Sequence, residues 1–406
     1  MPISRRRLLA SASAAAALPR IRRLEAQGAK AIKLGVLTDL SGTYRDTTGP
    51  GSVACTQQAA EDFGDKGFKV EVISADHQNK PDVGAGIARQ WFDTEGVDAI
   101  VDVPTSSVAL AVNNICKEKN KVFLNSGAAT TELTGKQCTP NVVHWTYNTY
   151  MLAKSMGTNV VKQGGASWFF ITADYVFGHQ LQRDTTKFVL DAGGKVLGSA
   201  AYPFPGTTDF SSFLIQAQAS GAKVLGLAMA GNDTVNSIKQ AHEFGLQMQI
   251  AGLLMELIDV KAIGQDAAAG LLLTESFYWD LNDRTRSFAK RVQKRLADWA
   301  PNMVQAGCYG ASMHYLKAVA DIGVDKAKSD GAAAIARMKQ FAINEDAFNS
   351  GSVREDGQAL IPVYLFQVKP PSESTGEWDI YKTLITTPAD QAWQPLDPEC
   401  PLVKKS

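Results

Sequence analysis

From Ala31 onward the chain alternates short apolar runs with amphipathic segments, and the alternation restarts partway along. That pattern limits the fold more than any other feature. Ile32–Thr38, Lys69–Ser74, Ala99–Val103 and Val122–Leu124 read as strands. The stretches from about Pro50 through Phe63, from Pro81 to Glu95 and on to Lys117 read as helices, the second with an apolar face at Val83, Ile87 and Trp91. Strands at this spacing with helices between them predict a parallel, doubly wound α/β sheet. The series begins again at Ser167–Thr172 and continues through Lys195–Tyr202, Val224–Ala228, Ile250–Leu254 and Leu271–Glu275. Two successive units of similar length predict two lobes of one architecture. A helical block over about Arg284–Phe341, followed by strand-like runs at Leu360–Val368 and Trp378–Leu384, predicts that the chain returns to both lobes through a multi-strand hinge.

With 406 residues the chain can hold two domains with sizeable cores. The expected division places a first lobe at 29–147 with a return segment at 277–345. The second lobe takes 148–276 and 346–388, and a surface tail follows at 389–406. Charged residues make up 20% and no 18-residue apolar run lies beyond the N-terminus, which argues against a membrane span in the mature chain. Ser4-Arg5-Arg6-Arg7-Leu8-Leu9 places arginines directly before an alanine-rich apolar run ending at Leu18. This pattern resembles a twin-arginine export signal, expected to span 1–28 and to send the protein to the periplasm.

The full chain carries 41 basic and 41 acidic residues; removing 1–26 deletes six arginines and one glutamate, leaving a net charge near −5. A mildly acidic chain without a clustered basic patch does not suit nucleic-acid binding. Five cysteines leave at least one unpaired within a monomer. Cys138, in a turn-rich loop, and Cys400, in the Pro-rich tail, are the best candidates for a disulfide. Cys55, Cys116 and Cys308 lie in helix-like apolar patterns and read as small buried residues.

Lys121–Leu133, K-V-F-L-N-S-G-A-A-T-T-E-L, follows a strand with six small residues. Open backbone N–H groups and hydroxyls at the carboxyl end of a strand suit a carboxylate, although the same residues also make an ordinary strand-to-helix turn. Catalysis finds little support. His77, His144, His179, His242 and His314 form no recognisable acid–base constellation, and no G-x-S-x-G, P-loop or H-E-x-x-H occurs. Asp39 reads as the organiser of its own turn.

Five motifs in order carry a resemblance: D-L-S-G at 39–42, small polar loops at 104–107 and 126–131, A-D-Y-V-F-G at 173–178, and A-G-N-D-T at 230–234. Across about 31–385 the chain resembles the periplasmic solute-binding proteins of branched-chain amino-acid ABC transporters, the type I periplasmic-binding fold. Y-x-x-x-x-G-P-G-S-V at 44–53 and H-W-T-Y at 144–147 are closer to receptors for small aromatic carboxylates. The resemblance implies a non-enzymatic, cofactor-free and metal-free monomer that closes over a small organic acid and delivers it to ABC permease subunits. A benzoate- or hydroxycinnamate-like acid is the leading ligand, a branched-chain amino acid the alternative, and sensing for a signalling partner a third reading.

Two facing lobes would place Thr105, Ser106, Ser126, Gly127 and Ala128 as donors from the first, with helix capping a competing role for Thr105 and Ser106. Asp174 and the rings of Tyr44, Tyr150, Tyr175 and Phe177 are expected at the cleft, with Tyr202 and Trp279 as further candidates. Tyr278 suits hinge packing equally well, and Tyr309 suits a core. Arg45 is expected at the rim, as a carboxylate partner or a solvated surface group. By the resemblance Asp233 takes the place of the acid that binds an amino-acid ammonium, and Ala129 stands where those receptors carry a threonine, which weakens the amino-acid reading. Asp233 could equally serve a phenol hydroxyl or cap a helix.

Overall fold

The computed structural model describes residues 30–404, so the expected signal segment at 1–28 lies outside the described residues. The first sheet is five-stranded and parallel, in the order β2-β1-β3-β4-β5. Its strands are β1 (Ala31–Thr38), β2 (Lys69–Asp76), β3 (Ala99–Asp102), β4 (Val122–Asn125) and β5 (Val142–His144). The intervening helices are α1 (Gly49–Phe63), α2 (Pro81–Gln90) and α3 (Ser106–Lys119). Alternate residues of β3 feed different clusters: Ala99 and Val101 pack with Leu34 and Leu124, and Ile100 with Phe123 and Val108. A sheet covered on both faces needs such continuous apolar strands, which is why each reads as a short unbroken run.

The second sheet repeats the plan with four parallel strands, β7-β6-β8-β9. It contains α4 (Thr149–Lys162), β6 (Ser167–Ala173), α5 (Val176–Asp191), β7 (Lys195–Tyr202), α6 (Ser211–Ala219), β8 (Val224–Ala228), α7 (Asn232–Glu243) and β9 (Gln249–Gly252), followed by α8 (Leu257–Ile263) and α9 (Gln265–Ala268). An antiparallel sheet of β10 (Leu272–Glu275), β13 (Val363–Val368) and β14 (Tyr381–Thr387) shares the core of this half, with Leu273, Phe366 and Tyr381 packed beside Leu225 and Tyr202.

The chain passes back to the first sheet after β10. There α10 (Asp283–Gln293), α11 (Met303–Ile322), α12 (Val324–Ser329) and α13 (Gly331–Met338) follow, with α11 packed on α1 and α13 on β4. It then returns through a two-stranded ribbon, β11 (Ser352–Val353) and β12 (Ala359–Leu360), to β13. The type I periplasmic-binding architecture is therefore present, with two doubly wound lobes and several crossings between them.

One local expectation is corrected and one is sharpened. In α2 the residues turned inward are Gly84, Ala88 and the following Trp91, while Val83 and Ile87 are only half-buried. Small residues bring this helix close to α3, where Val108 occupies the space beside Gly84. The segment after Pro388 runs largely along the surface but is tied down at several points. It forms α14 (Ala389–Ala392), buries Trp393, whose Nε1 donates to Ile361 O at 2.9 Å, and joins Cys400 to Cys138 in a disulfide. Cys55, Cys116 and Cys308 are free and buried.

Candidate functional site: the interlobe cleft

In both parallel sheets the strand order reverses once, between β1 and β3 and between β6 and β8. Loops leaving adjacent strands there diverge to opposite faces and open a crevice, the usual ligand position in doubly wound sheets. The two crevices face each other. The first lobe brings Tyr44, Thr47 and Thr48 from the loop after β1, Pro104 from the loop after β3, Gly127 from that after β4, and Tyr147 from that after β5. The second brings Tyr175 and Phe177 after β6, Ala230 and Gly231 after β8, and Leu254 and Glu256 after β9; Val304 of α11 completes the wall. Together they line a narrow, closed pocket between the lobes.

Asp39 builds the first loop. Its buried carboxylate accepts the N–H groups of Ser41, Gly42 and Tyr44 at 3.2, 2.6 and 2.9 Å and the Asn79 amide at 2.7 Å. The other end of Asn79 accepts the Thr105 hydroxyl, so the loops after β1 and β3 are tied together. This places Thr43 and Tyr44 against the second lobe. Thr43 Oγ1 donates to Asp233 Oδ1 at 2.9 Å, and Asn232 N–H donates to Thr43 O at 3.1 Å. The hydroxyls of Tyr44 and Tyr175 lie 2.5 Å apart, and the Phe204 ring stacks on Tyr175 at 4.2 Å and on Tyr44 at 5.7 Å. These contacts join the lobes in a closed arrangement.

Four residues expected at the ligand line the pocket: Tyr44, Gly127, Tyr175 and Phe177. The others lie behind or beside it. Ser126 Oγ is held by Thr146 Oγ1 and Val304 O, both at 2.7 Å, and so anchors the loop to α11. Ala128 lies beneath Gly127 with its N–H turned to Asn125 Oδ1 at 3.2 Å, and Ala129 O accepts the Thr149 N–H. The Ser106 hydroxyl is buried without a hydrogen-bond partner, one residue from Thr105. Tyr150 is turned by the phase of α4 onto Phe188, at 5.2 Å, away from the pocket. Asp174 is exposed and pairs with His179 at 2.7 Å.

Asp233 is committed elsewhere. Besides Thr43 of the first lobe it accepts the hydroxyl of Tyr202, in its own lobe, at 2.7 Å, so both carboxylate oxygens are engaged outside the pocket. Burial pushes its carboxyl upward, against the pull of those two donors. Tyr278 and Trp279 both donate to Trp378 O at 2.8 Å, and Tyr309 donates to Asp62 at 2.9 Å. Arg45 pairs with Asp46 at the rim.

Several lining residues carry no sequence expectation, foremost Glu256. It is 2% exposed, and neither carboxyl oxygen has a side-chain hydrogen-bond partner. Burial, then Glu275 and Asp259 nearby, push its carboxyl well up. It lies in L-L-M-E-L, an apolar run that reads as core, so only the fold could show it facing the cleft. Tyr147, within H-W-T-Y, donates its hydroxyl to Gly127 O. Burial holds the phenols of Tyr44, Tyr147 and Tyr175 in their neutral form.

A family model described as periplasmic binding protein matches residues 31–377. The chain belongs to this family. Its members are solute receptors of ABC transporters, and the solved structures agree. A periplasmic binding protein from Burkholderia mallei is 44% identical with a TM-score of 0.88, over 93% of this chain and 100% of that one. A branched-chain amino-acid ABC transporter periplasmic ligand-binding protein from Burkholderia xenovorans LB400 is 38% identical with a TM-score of 0.78, over 90% and 97%. A solute-binding protein of an ABC transporter from R. palustris, solved in complex with benzoate, shares the fold at 19% identity and a TM-score of 0.82, over 92% and 100%. Among the described residues of this receptor no helix is long and apolar enough to cross a membrane.

Proposed function

We propose that the receptor works in the periplasm as a monomer, closing its lobes over a small aromatic carboxylate of the benzoate or hydroxycinnamate class and delivering it unchanged to an ABC permease. The observation that carries this reading is the wall of the pocket. Tyr44, Tyr147, Tyr175 and Phe177 line the closed cleft, a wall whose aromatic character suits one ring. Closure adds the rings of the second lobe to those of the first and excludes water from the bound face. The benzoate complex of the R. palustris protein is consistent with this use of the fold.

One observation favours a second reading, an amino acid. Glu256 offers a buried carboxyl without a side-chain partner where an ammonium group could lie, and the Burkholderia xenovorans relative is named for branched-chain amino acids. Thermal-shift measurements on the mature protein with benzoate, 4-hydroxybenzoate, 4-hydroxycinnamate, leucine, isoleucine and valine separate the two. A ligand at a hundred times its Kd adds about 2.7 kcal/mol to stability, which is easily read as a higher Tm. Stabilisation by the aliphatic amino acids alone would refute the aromatic reading.

A further inference from the structure

An anion in this pocket meets an unusual lining. No lysine, arginine or histidine lines it. Most of the hydroxyls that do are committed: Thr47 and Thr48 donate to Tyr44 O at 3.1 and 2.9 Å, Tyr147 donates to Gly127 O, and one of Tyr44 and Tyr175 donates to the other. Glu256 also lines the space, its two carboxyl oxygens buried and without a side-chain partner.

The surroundings of Glu256 are acidic on every side. Asp259 of α8 accepts the Glu256 N–H at 2.9 Å, and Glu275 of β10 accepts the Tyr381 hydroxyl at 2.8 Å. Tyr147 approaches from the first lobe, and Asp46 lies beyond Asp259. Only the Met303 amide, at the start of α11, works in the opposite direction. Among the described residues no group of three or more acids, histidines or cysteines is placed to hold a metal ion, so the cluster is not neutralised that way. Ionised, Glu256 would face two buried acids and an anionic ligand with no cation to offset them. Protonated, it supplies a donor in a wall that has no cationic side chain.

We propose that Glu256 recognises the ligand as a neutral carboxylic acid, donating a hydrogen bond to the anionic group of the bound solute. The inference rests on the organic-acid reading above and adds its pH behaviour. Ligand binding then favours the protonated form of Glu256, so the complex takes up protons from solution and affinity falls as pH rises. A ligand bound through an ammonium group would have the opposite sign: Glu256 would ionise and binding would release a proton.

The test is titration calorimetry of the mature protein with 4-hydroxybenzoate from pH 5.5 to 8.5, in buffers of different ionisation enthalpy, on wild type and Glu256→Gln. The expected result is proton uptake in the wild type, with affinity falling up to tenfold per pH unit at the alkaline end. Glu256→Gln keeps an uncharged donor, so it should bind within a few-fold of the wild type at pH 6 and lose the proton uptake. The wild-type pH profile needs no variant to fold, and circular dichroism checks the glutamine form. Proton release, absence of linkage in the wild type, or loss of binding in a folded Glu256→Gln protein each overturn the assignment while leaving the ligand class intact. If no aromatic acid binds the wild type, it is the proposed function that fails. An infrared difference between wild type and Glu256→Gln, both with 4-hydroxybenzoate bound at pH 7, should show a protonated-carboxyl band, and its absence overturns the neutral state independently.

Discussion

Gly231 is where a single methyl group should separate folding from closure. Its φ of +59° suits glycine, and a Cβ built there would lie 2.4 Å from Thr43 O and 3.1 Å from the Tyr44 ring, both across the cleft. Carbon and oxygen settle at about 3.3 Å or more, so Gly231→Ala must push the lobes apart locally by roughly 1 Å. That displacement would stretch the Asn232–Thr43, Thr43–Asp233 and Tyr44–Tyr175 hydrogen bonds beyond useful length. At about 1 kcal/mol each, the closed state loses roughly 3 kcal/mol, or about 100-fold in Kd. The open lobes do not make these contacts and suffer only the backbone strain, about 1–3 kcal/mol of folding stability. Gly221→Ala is the control. Its φ is +67°, with nothing within 4 Å of the added methyl, so it should lower Tm without changing affinity. Calorimetry with whichever ligand the thermal screen identifies gives Kd, and small-angle scattering with and without ligand follows closure. Binding by Gly231→Ala within threefold of the wild type would show that these interlobe contacts do not hold the closed state.

Three further outcomes follow from named contacts. Asp233→Ala should weaken every ligand by a similar factor, roughly tenfold, because Asp233 bridges Thr43 and Tyr202 rather than facing the pocket; a selective loss across the ligand panel in calorimetry would contradict this. Phe177→Ala should cost an aromatic acid at least tenfold in Kd while affecting a small aliphatic acid less, because the ring lines the pocket. Replacing Cys138 and Cys400 by serine opens a crosslink 262 residues apart in sequence and should lower stability by about 2–5 kcal/mol in chemical denaturation, leaving ligand affinity unchanged.

Much of the scaffold could be read because the physics there is local. Buried parallel strands must be apolar throughout, so β1, β3, β6 and β8 stand out as short runs, and the small residues after them mark where loops approach one another. Asp39 was legible for the same reason: a carboxylate followed by Leu-Ser-Gly can gather the N–H groups of its own turn. The site residues were less accessible because their roles depend on orientation. Tyr150 is only three residues from Tyr147, yet Tyr147 faces the pocket and Tyr150 packs on Phe188. Asp233 has the chemistry of a ligand acid, but its oxygens are taken by a threonine from one lobe and a tyrosine from the other. Glu256 sits in an apolar stretch that reads as core, and only the meeting of two lobes shows that it lines the pocket.

The buried acids of this receptor also bear on how its stability responds to pH. Asp102, beneath Gly127, and Asp259, beside Glu256, are both pushed up to about 7 from 3.8, in each case chiefly by burial. The folded state therefore keeps a proton on each across the window from about pH 4 to 7, where the unfolded chain has released it. Since the folded state binds more protons there, stability must fall as pH rises through that window and level off above it. Each group contributes up to roughly 4 kcal/mol to the decline. Asp102→Asn removes the charge that is costly to bury, so the variant should be more stable than the wild type at pH 8, with the advantage shrinking towards pH 4. Denaturant titrations at the two values measure the difference. An advantage that is equal at both pH values would mean that Asp102 is not neutral in the fold. Acids that resist ionisation beside the cleft would also let it take an anion, as proposed above, without a cationic side chain in its wall.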